Sequence, residues 1–244
     1  MGGSREDFNV WRHTAGMNLS GRKRMAQGEA TTMPGIPDDW RVIPSTTALF
    51  DRASEEEFIR RVLVPVKRVA EECGIEMLYA TEDFPLHFSL KNGKFPPGEE
   101  ANEEWHTKAA EVCADAELQN RSRHLEGALS KSPLNFRFVV FDHGAGSVML
   151  AGVEIPPEIQ EFRAYAEHLF TKKGIGIRNP DPIAHIAFAR LKKLPENPAR
   201  LQEFARKIVN IRHEISRSGR PISLKTREVF AGQDMVGVTP LRAP

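Results

Sequence analysis

The sequence predicts an α+β fold with antiparallel sheets, and two features of the 244-residue chain lead to this prediction. Segments with the composition of strands alternate with amphipathic helical segments over residues 42–238. Several neighbouring strands are separated only by tight turns, such as the glycine-rich turn at residues 144–146. A doubly wound parallel sheet would instead need a long crossover between strands.

The composition indicates a globular protein without a bulk charge. Lys and Arg number 34 against 33 Asp and Glu, and hydrophobic residues make up 40%. The near-neutral charge argues against binding a long polyanion such as DNA, although a local basic pocket remains compatible with it. We find no apolar run of membrane-spanning length, no signal-like N-terminus and only two cysteines. We therefore expect a reduced, cytoplasmic protein with no membrane partner.

The chain is expected to divide into an arm and a body. Residues 1–38 are rich in Gly, Ser, Thr and Arg, with scattered apolar residues and no sustained period. We interpret them as a mobile N-terminal arm that docks through Trp11. The globular body then comprises residues 39–244.

The first elements of the body are a strand and a helix. Residues 42–50 have strand composition, interrupted early by Pro44. Ser54 and Glu57 have the spacing of a capping box, which predicts Ser54 as the N-cap. The following helix should be kinked at Pro65 and end at Gly74. Its apolar face consists of Phe58, Val62, Val66, Val69 and Cys73.

The middle of the chain combines short strands with helices. Strands are predicted at residues 75–79 and 86–90, the second one ended by an Asn-Gly pair. Residues 99–129 have helical composition. A hairpin should follow, with strands at residues 136–141 and 148–153.

The last third of the body repeats this alternation. Pro157 can begin a helix, because proline fits the first helical turn. A strand at residues 183–191 is followed by a helix that Asn197 caps and Gly219 ends. Residues 221–238 provide one or two final strands.

Two of these strands contain a histidine in a similar setting. His87 lies in the run PLHFSL, and His185 lies in the run IAHIAFARL. Because side chains alternate along a strand, His87 and Ser89 share one face, and His185 and Ala187 share another. The same alternation predicts that Arg190 lies on the face opposite His185. Each strand thus offers an apolar face to a core and a face with a histidine and small neighbours, where a ligand has room.

This pair of strands resembles the two H-x-[S/T]-x motifs of the 2H phosphoesterase superfamily, the LigT-like cyclic phosphodiesterases. The run HIAFARL that begins at His185 is similar to the family's H-x-T-L-A-R-L run. The resemblance implies two similar lobes, each an antiparallel sheet with helices packed outside, which face each other across a central groove. It also implies a metal-independent hydrolase with no cofactor, acting on a 2′,3′-cyclic phosphate of a nucleotide or an RNA end.

The resemblance assigns roles to three residues and leaves one position changed. His87 and His185 would act as acid and base, either one in either role, since imidazoles titrate near neutrality. Ser89 would bind the phosphate, whereas Ala187 stands where the family has a second hydroxyl. The alternative is therefore a catalytically weakened module on the same fold that binds a nucleotide or an RNA end. A third possibility is an interaction protein in which both histidines are structural.

Overall fold

The structure is a computed structural model that describes residues 32–33, 44–94, 102–152, 155–177 and 184–232. The predicted arm, including Trp11, lies outside the described residues except at positions 32 and 33. There, the backbone N–H of Met33 donates to the carbonyl of Leu191 at 2.7 Å, and the Met33 side chain is buried. The strand predictions for residues 42–43 and 233–238 also lie outside the described residues.

Within the described residues, nine strands form two antiparallel sheets, which confirms the predicted α+β class. The first sheet has four strands in the order β6-β3-β1-β9, and the second has five in the order β2-β7-β5-β4-β8. The strands are β1 (Ser45–Phe50), β2 (Met77–Tyr79), β3 (His87–Lys94), β4 (Leu134–Asp142), β5 (Ser147–Gly152), β6 (Gly176–Ile177), β7 (His185–Leu191), β8 (Ile222–Leu224) and β9 (Thr226–Gly232).

Each sheet has its own set of helices, so the fold consists of two lobes. The helices are α1 (Arg52–Phe58), α2 (Val64–Cys73), α3 (Glu103–Cys113), α4 (Ala116–Leu129), α5 (Pro157–Lys172) and α6 (Pro198–Arg217). Helices α3, α4 and α5 contact the four-stranded sheet or one another, whereas α6 packs on β4 and on α2. The chain alternates between the lobes, because β1 and β9 belong to one sheet while β2 and β8 belong to the other.

The start of the first helix differs from the predicted capping box. Asp51 is the N-cap, and its carboxylate accepts a hydrogen bond from the Ser54 amide at 2.8 Å. The prediction of Ser54 as the cap is wrong because the Ser54 hydroxyl instead accepts from the amide of Lys225 at 2.9 Å. Helix α1 passes into α2 through a π-helical turn at Ile59–Leu63, just before Pro65. The wider turn is consistent with the missing proline N–H.

Two further boundaries differ from the sequence predictions. Strand β3 continues through Asn92 and Gly93, where a turn was expected. A Cβ at Gly93 would lie 2.8 Å from a Pro44 side-chain carbon, so glycine here permits close packing rather than a turn. The helix predicted over residues 99–129 is divided, because Asp115 caps α4 by accepting from the Leu118 amide.

The buried apolar side chains of both lobes form one large cluster, with phenylalanines among its most buried members. Helices and sheets meet there through aromatic pairs. Phe58 of α1 lies edge-on to Phe188 of β7 at 5.2 Å, and Phe141 of β4 lies edge-on to Phe204 of α6 at 5.3 Å. None of the described helices is both long and apolar enough to cross a membrane.

Candidate functional site

The first predicted motif lies at the start of β3, where the chain enters the four-stranded sheet. His87 and Ser89 are half-buried, whereas Phe88 and Leu90, which alternate with them along the strand, are buried in the core. The His87 Nδ1 lies 2.9 Å from the carbonyl oxygen of Pro85. Because a carbonyl only accepts, Nδ1 carries the proton in this contact.

The second predicted motif lies at the start of β7, in the other sheet. His185 and Ala187 are half-buried, and Ile186 and Phe188 belong to the core. The predicted alternation is therefore observed over the first four residues of both strands. In each case the histidine lies on the face away from the helices, since Phe188 contacts α1 and Lys91 of β3 contacts α5.

The two strands also share an irregularity that the sequence does not reveal. In the β1–β3 pair, Ser89 is opposite Thr47 and Lys91 is opposite Thr46, so Leu90 has no partner. In the β5–β7 pair, Phe188 is the residue without a partner. Each extra residue is the third after its histidine. The burial of the first six residues is also identical in the two strands. The motifs are thus structural equivalents as well as similar runs of sequence.

The bulge in β7 corrects the prediction for Arg190. Phe188 and Ala189 both face the core, which shifts the alternation by one residue. Arg190 is opposite Ser147 and lies on the same face as His185 and Ala187, not on the opposite one. The equivalent residue of β3 is Asn92, whose buried side-chain oxygen lacks a hydrogen-bond partner among the described residues.

The two strands adjoin, although they belong to different sheets. Residues of β3 and β7 approach to within 8 Å between Cα atoms. The segment between β2 and β3 lies alongside β7, because the Ala80 amide donates to the Phe188 carbonyl at 2.8 Å. Phe84 in this segment is bridged to Ala80 and lies edge-on to the His87 ring at 6.4 Å. A short connection therefore links the His87 strand to the His185 strand.

One aromatic side chain shares the face of His185. The strand register places Phe138, Ala151 and His185 directly opposite one another across β4, β5 and β7. Paired residues of antiparallel strands project on the same side, so the half-buried Phe138 ring flanks the histidine at about 10 Å, two strand spacings. Sequence alternation from Phe136 would have put Phe138 in the core. A register shift between these two residues turns it outward.

The backbone of β3 is held by two side chains from α5. Arg163 donates from Nε to the Leu90 carbonyl at 2.8 Å, and its guanidinium lies 5.4 Å from the Phe88 ring centre. One turn later, Glu167 accepts from the buried Lys91 ammonium at 2.5 Å. These contacts fix the bulge that follows His87 and Ser89, so α5 sets the position of the first motif.

The described residues include no group of three or more His, Cys, Asp or Glu side chains arranged to hold a metal ion. Tyr79 of β2 is opposite the core-facing Ala189 and lies under Lys67 of α2, so it belongs to the helix side, where burial raises its pKa to about 12. The polar side chains considered for catalysis are therefore those on the histidine faces of β3 and β7, namely His87, Ser89, His185 and Arg190.

Comparison with known proteins gives fold-level similarity only. No family model matches the chain, and the comparison with curated proteins finds no match. A structure of Kluyveromyces marxianus Usb1 with uridine monophosphate is 17% identical, with a TM-score of 0.42, and the match covers 82% of this chain and 99% of that one. A conserved protein of unknown function from Agrobacterium tumefaciens strain C58 is 15% identical, with a TM-score of 0.44, covering 82% and 84%. With such values, the function must be argued from the residues of this chain.

Proposed function

We propose that the protein is a metal-independent phosphoesterase that hydrolyses a cyclic phosphodiester, the 2′,3′-cyclic phosphate of a nucleotide or an RNA end. The observation that supports this most is the equivalence of the His87 and His185 strands. Two unrelated structural histidines would not be expected to share their burial, their face and a bulge at the same offset. The domain that performs this reaction would be the body, residues 39–244.

The proposed chemistry needs one neutral and one protonated imidazole. The neutral histidine takes a proton from water as the water oxygen bonds to phosphorus. The P–O bond to one ribose oxygen breaks, and the protonated histidine gives its proton to that oxygen. The product is a phosphomonoester, and the two histidines have exchanged protonation states. The Pro85 carbonyl keeps the Nε2 atom of His87 oriented for either role.

Charge on the phosphate oxygens would be held by one group from each strand. Ser89 donates from β3, as the resemblance implies. On β7, Ala187 has no donor, and Arg190 is the cationic group that the bulge brings to the same face. A guanidinium binds phosphate well, because it offers several donors in a fixed plane. We therefore assign Arg190 the phosphate-binding role that Ala187 cannot perform.

The test is hydrolysis of 2′,3′-cyclic nucleotides and of a short RNA ending in a cyclic phosphate, in the presence of EDTA. Replacing either His87 or His185 by alanine should lower kcat by about 10²–10⁴-fold, the usual contribution of a general acid or base. The matched control is His213→Ala, because His213 is an exposed histidine of α6. This variant should retain full activity. Activity that requires a metal ion, or that survives in the double variant, would contradict the proposal.

A binding module is the second candidate function, and Ala187 is the observation that favours it. Such a module would bind a cyclic nucleotide without turnover. Calorimetric titration with 2′,3′-cyclic nucleotides separates the two cases, because binding that His87→Ala abolishes, without product formation, identifies the module. Absence of both binding and turnover would reject both functions.

A further inference from the structure

A second cavity lies between α6 and β4, away from the histidine faces of β3 and β7. Its volume is about 670 Å³, within the usual range for sites that bind small molecules. Residues 139–141 of β4 form its back wall and are almost fully buried, so the cavity does not open on that side. Its accessible surface comes from α6 and from residues 194–195 before this helix. A ligand would therefore enter over α6 and needs no access to the edge of β4.

One wall of the cavity is a stripe of apolar side chains along α6. Leu201, Ala205 and Ile208 are spaced as i, i+4 and i+7, which places them on one face of the helix. Pro195 and Pro198 continue this wall at the start of α6. The wall is thus apolar over most of its length and suits an apolar ligand.

The rim of the cavity adds exposed hydrophobic side chains. Among the described residues only three large hydrophobic side chains are exposed, and two of them, Leu194 and Val209, lie here with exposures of 39% and 38%. Covering such side chains is favourable, because it removes apolar surface from water. Their concentration at one cavity indicates a surface that a ligand completes.

The charges at the cavity have one sign. Arg206 and Arg212 line it, and none of its described lining residues is acidic. Arg206 is exposed, whereas Arg212 is half-buried and has no hydrogen bond or salt bridge within the part of the chain that the structure describes. Burial lowers the pKa of the Arg212 guanidinium, as expected for a charge that is held without a partner. The α6 residues three and four positions away from Arg212 are also uncharged, namely Ile208, Val209, Ile215 and Ser216.

The cavity is apolar at one end and cationic at the other. From Pro198 to Arg212, α6 rises about 21 Å, at about 1.5 Å per residue. Leu194 and Pro195 directly precede α6 and therefore lie at the Pro198 end. An extended apolar molecule with one anionic end group matches this arrangement.

We propose that this cavity binds an extended apolar carboxylate of the fatty-acid type. Its chain packs along α6 and covers Leu194 and Val209, and its carboxylate pairs with Arg212. This ion pair gives the half-buried guanidinium the anion that the described residues do not supply, and a guanidinium matches the two oxygens of a carboxylate. The cavity is separate from the histidine strands, so the proposal does not depend on the proposed hydrolysis.

The test is calorimetric titration of the full chain with decanoate, 1-decanol and decylammonium, which share a chain length and differ in the end group. Decanoate should bind more tightly than decanol by about tenfold or more, because a charge-assisted hydrogen bond adds to the burial of the chain. Decylammonium should not bind measurably. Decanoate should also shift the NMR signals of the methyl groups of Leu201, Ile208 and Val209, which locates the bound chain.

Arg212→Met is the decisive variant, since it removes the guanidinium and keeps an unbranched side chain. It should weaken decanoate binding by about tenfold or more and leave decanol binding unchanged. Its melting temperature should not fall, because the cation that it removes has no partner among the described residues. Arg217→Met makes the same change on α6 outside the cavity and should bind both ligands normally. Leu194→Ser should weaken both ligands, since it removes an apolar contact with the chain.

Three results would overturn the proposal. Equal binding of all three ligands would indicate detergent-like association with exposed apolar surface. Decanoate binding that survives Arg212→Met, or methyl shifts outside the cavity, would place the carboxylate elsewhere. If decanoate does not bind, sedimentation identifies the alternative, because a dimer that Val209→Asp dissociates would show that a second copy covers the rim, whereas a monomer would show a cavity without this ligand.

Discussion

Ser89 and Ala187 occupy equivalent positions, two residues after equivalent histidines, yet only one has a hydroxyl. Each side chain lies on the face of its histidine. If the site stabilises negative charge on phosphate oxygens, the two positions should respond differently to substitution. Ser89→Ala removes a hydrogen-bond donor from one position, and Ala187→Thr introduces a donor at the other.

We predict that Ser89→Ala lowers kcat for cyclic nucleotide hydrolysis by about 10²–10³-fold, because it removes a donor to the developing charge. Ala187→Thr should raise kcat by about tenfold or less, since Arg190 already contributes on that strand. Steady-state kinetics on both variants, with Ala187→Val as the isosteric control without a hydroxyl, measures the effect. Equal rates for the Thr and Val variants would show that position 187 lies away from the phosphate.

Phe138 is the aromatic residue that the register places in the row of His185. We predict that Phe138→Ala raises KM for cyclic nucleotides by about tenfold, because stacking on a base contributes about 1–3 kcal/mol. Phe138→Leu, which keeps an apolar side chain without the ring, should show most of the same effect. Ribose 2′,3′-cyclic phosphate, which has no base, should be hydrolysed equally by all three proteins. If Phe138→Ala also slows hydrolysis of this base-free substrate, Phe138 supports the structure of the site and does not bind the base.

At the scale of the element, α1 depends on Asp51 for its first turn. Burial alone would raise the pKa of this carboxyl, but the hydrogen bonds from Ser54 and the charge of Lys225 outweigh burial, so the pKa is lowered. A lowered pKa in the folded state means that the ionised cap stabilises the protein fully above the ordinary carboxyl pKa. This contribution is lost as the pH falls through the lowered value.

We predict that Asp51→Ala lowers the free energy of unfolding by about 1 kcal/mol at neutral pH, the typical cost of losing a cap. Asp51→Asn should keep most of the cap, because an amide oxygen also accepts from the Ser54 amide. Urea unfolding from neutrality to about pH 2 measures both. The difference between wild type and Asp51→Ala should shrink at the acid end. A difference that is constant with pH would contradict the role of the ionised carboxylate.

The elements also show what the sequence can reveal. The 3.6-residue apolar period predicts the buried faces of α2, α5 and α6, and the glycine-rich turn predicts the β4–β5 hairpin, because these signals are local. The bulges after His87 and His185 are not visible in the sequence. They depend on which strand pairs with which, and no local residue type announces them. Consequently His87, Ser89 and His185 could be placed on faces from the sequence, whereas Arg190 and Phe138 could not.

The N-cap of α1 shows the same limit. Ser54 has the residue type of a cap and, with Glu57, the spacing of a capping box, whereas Asp51 has a suitable residue type without that spacing. The choice is decided by Lys225, from the turn between β8 and β9, whose amide uses the Ser54 hydroxyl. A contact between residues that far apart in sequence competes with the local capping pattern and prevails.

At the scale of the molecule, the two lobes are joined by the path of the chain. Strand β1 lies between β3 and β9 in the four-stranded sheet, and all five strands of the other sheet come between β1 and β9 along the chain. One apolar cluster includes side chains of both lobes. Neither lobe is a continuous segment that could fold without the other.

We therefore predict one cooperative unfolding transition for the whole body. Far-ultraviolet circular dichroism and differential scanning calorimetry should give the same midpoint, with equal calorimetric and van't Hoff enthalpies. Removing β9 by ending the chain before Thr226 should abolish the transition, because β1 loses one of its two neighbours. Two separate endotherms would contradict this description of the lobes.

The pairing of β1 with β9 has a further consequence for how the chain could be rearranged. Ser45, in the first strand, is directly opposite Gly232, in the last. Residues 45–232 can therefore be closed into a ring by a short linker and reopened elsewhere without altering the pairing within either sheet. The exposed turn at residues 131–133, between α4 and β4, is a suitable place for the new ends, since circular permutation succeeds at exposed turns. In such a permutant, the two histidine strands would follow each other in the opposite order along the chain, with the same neighbours in space.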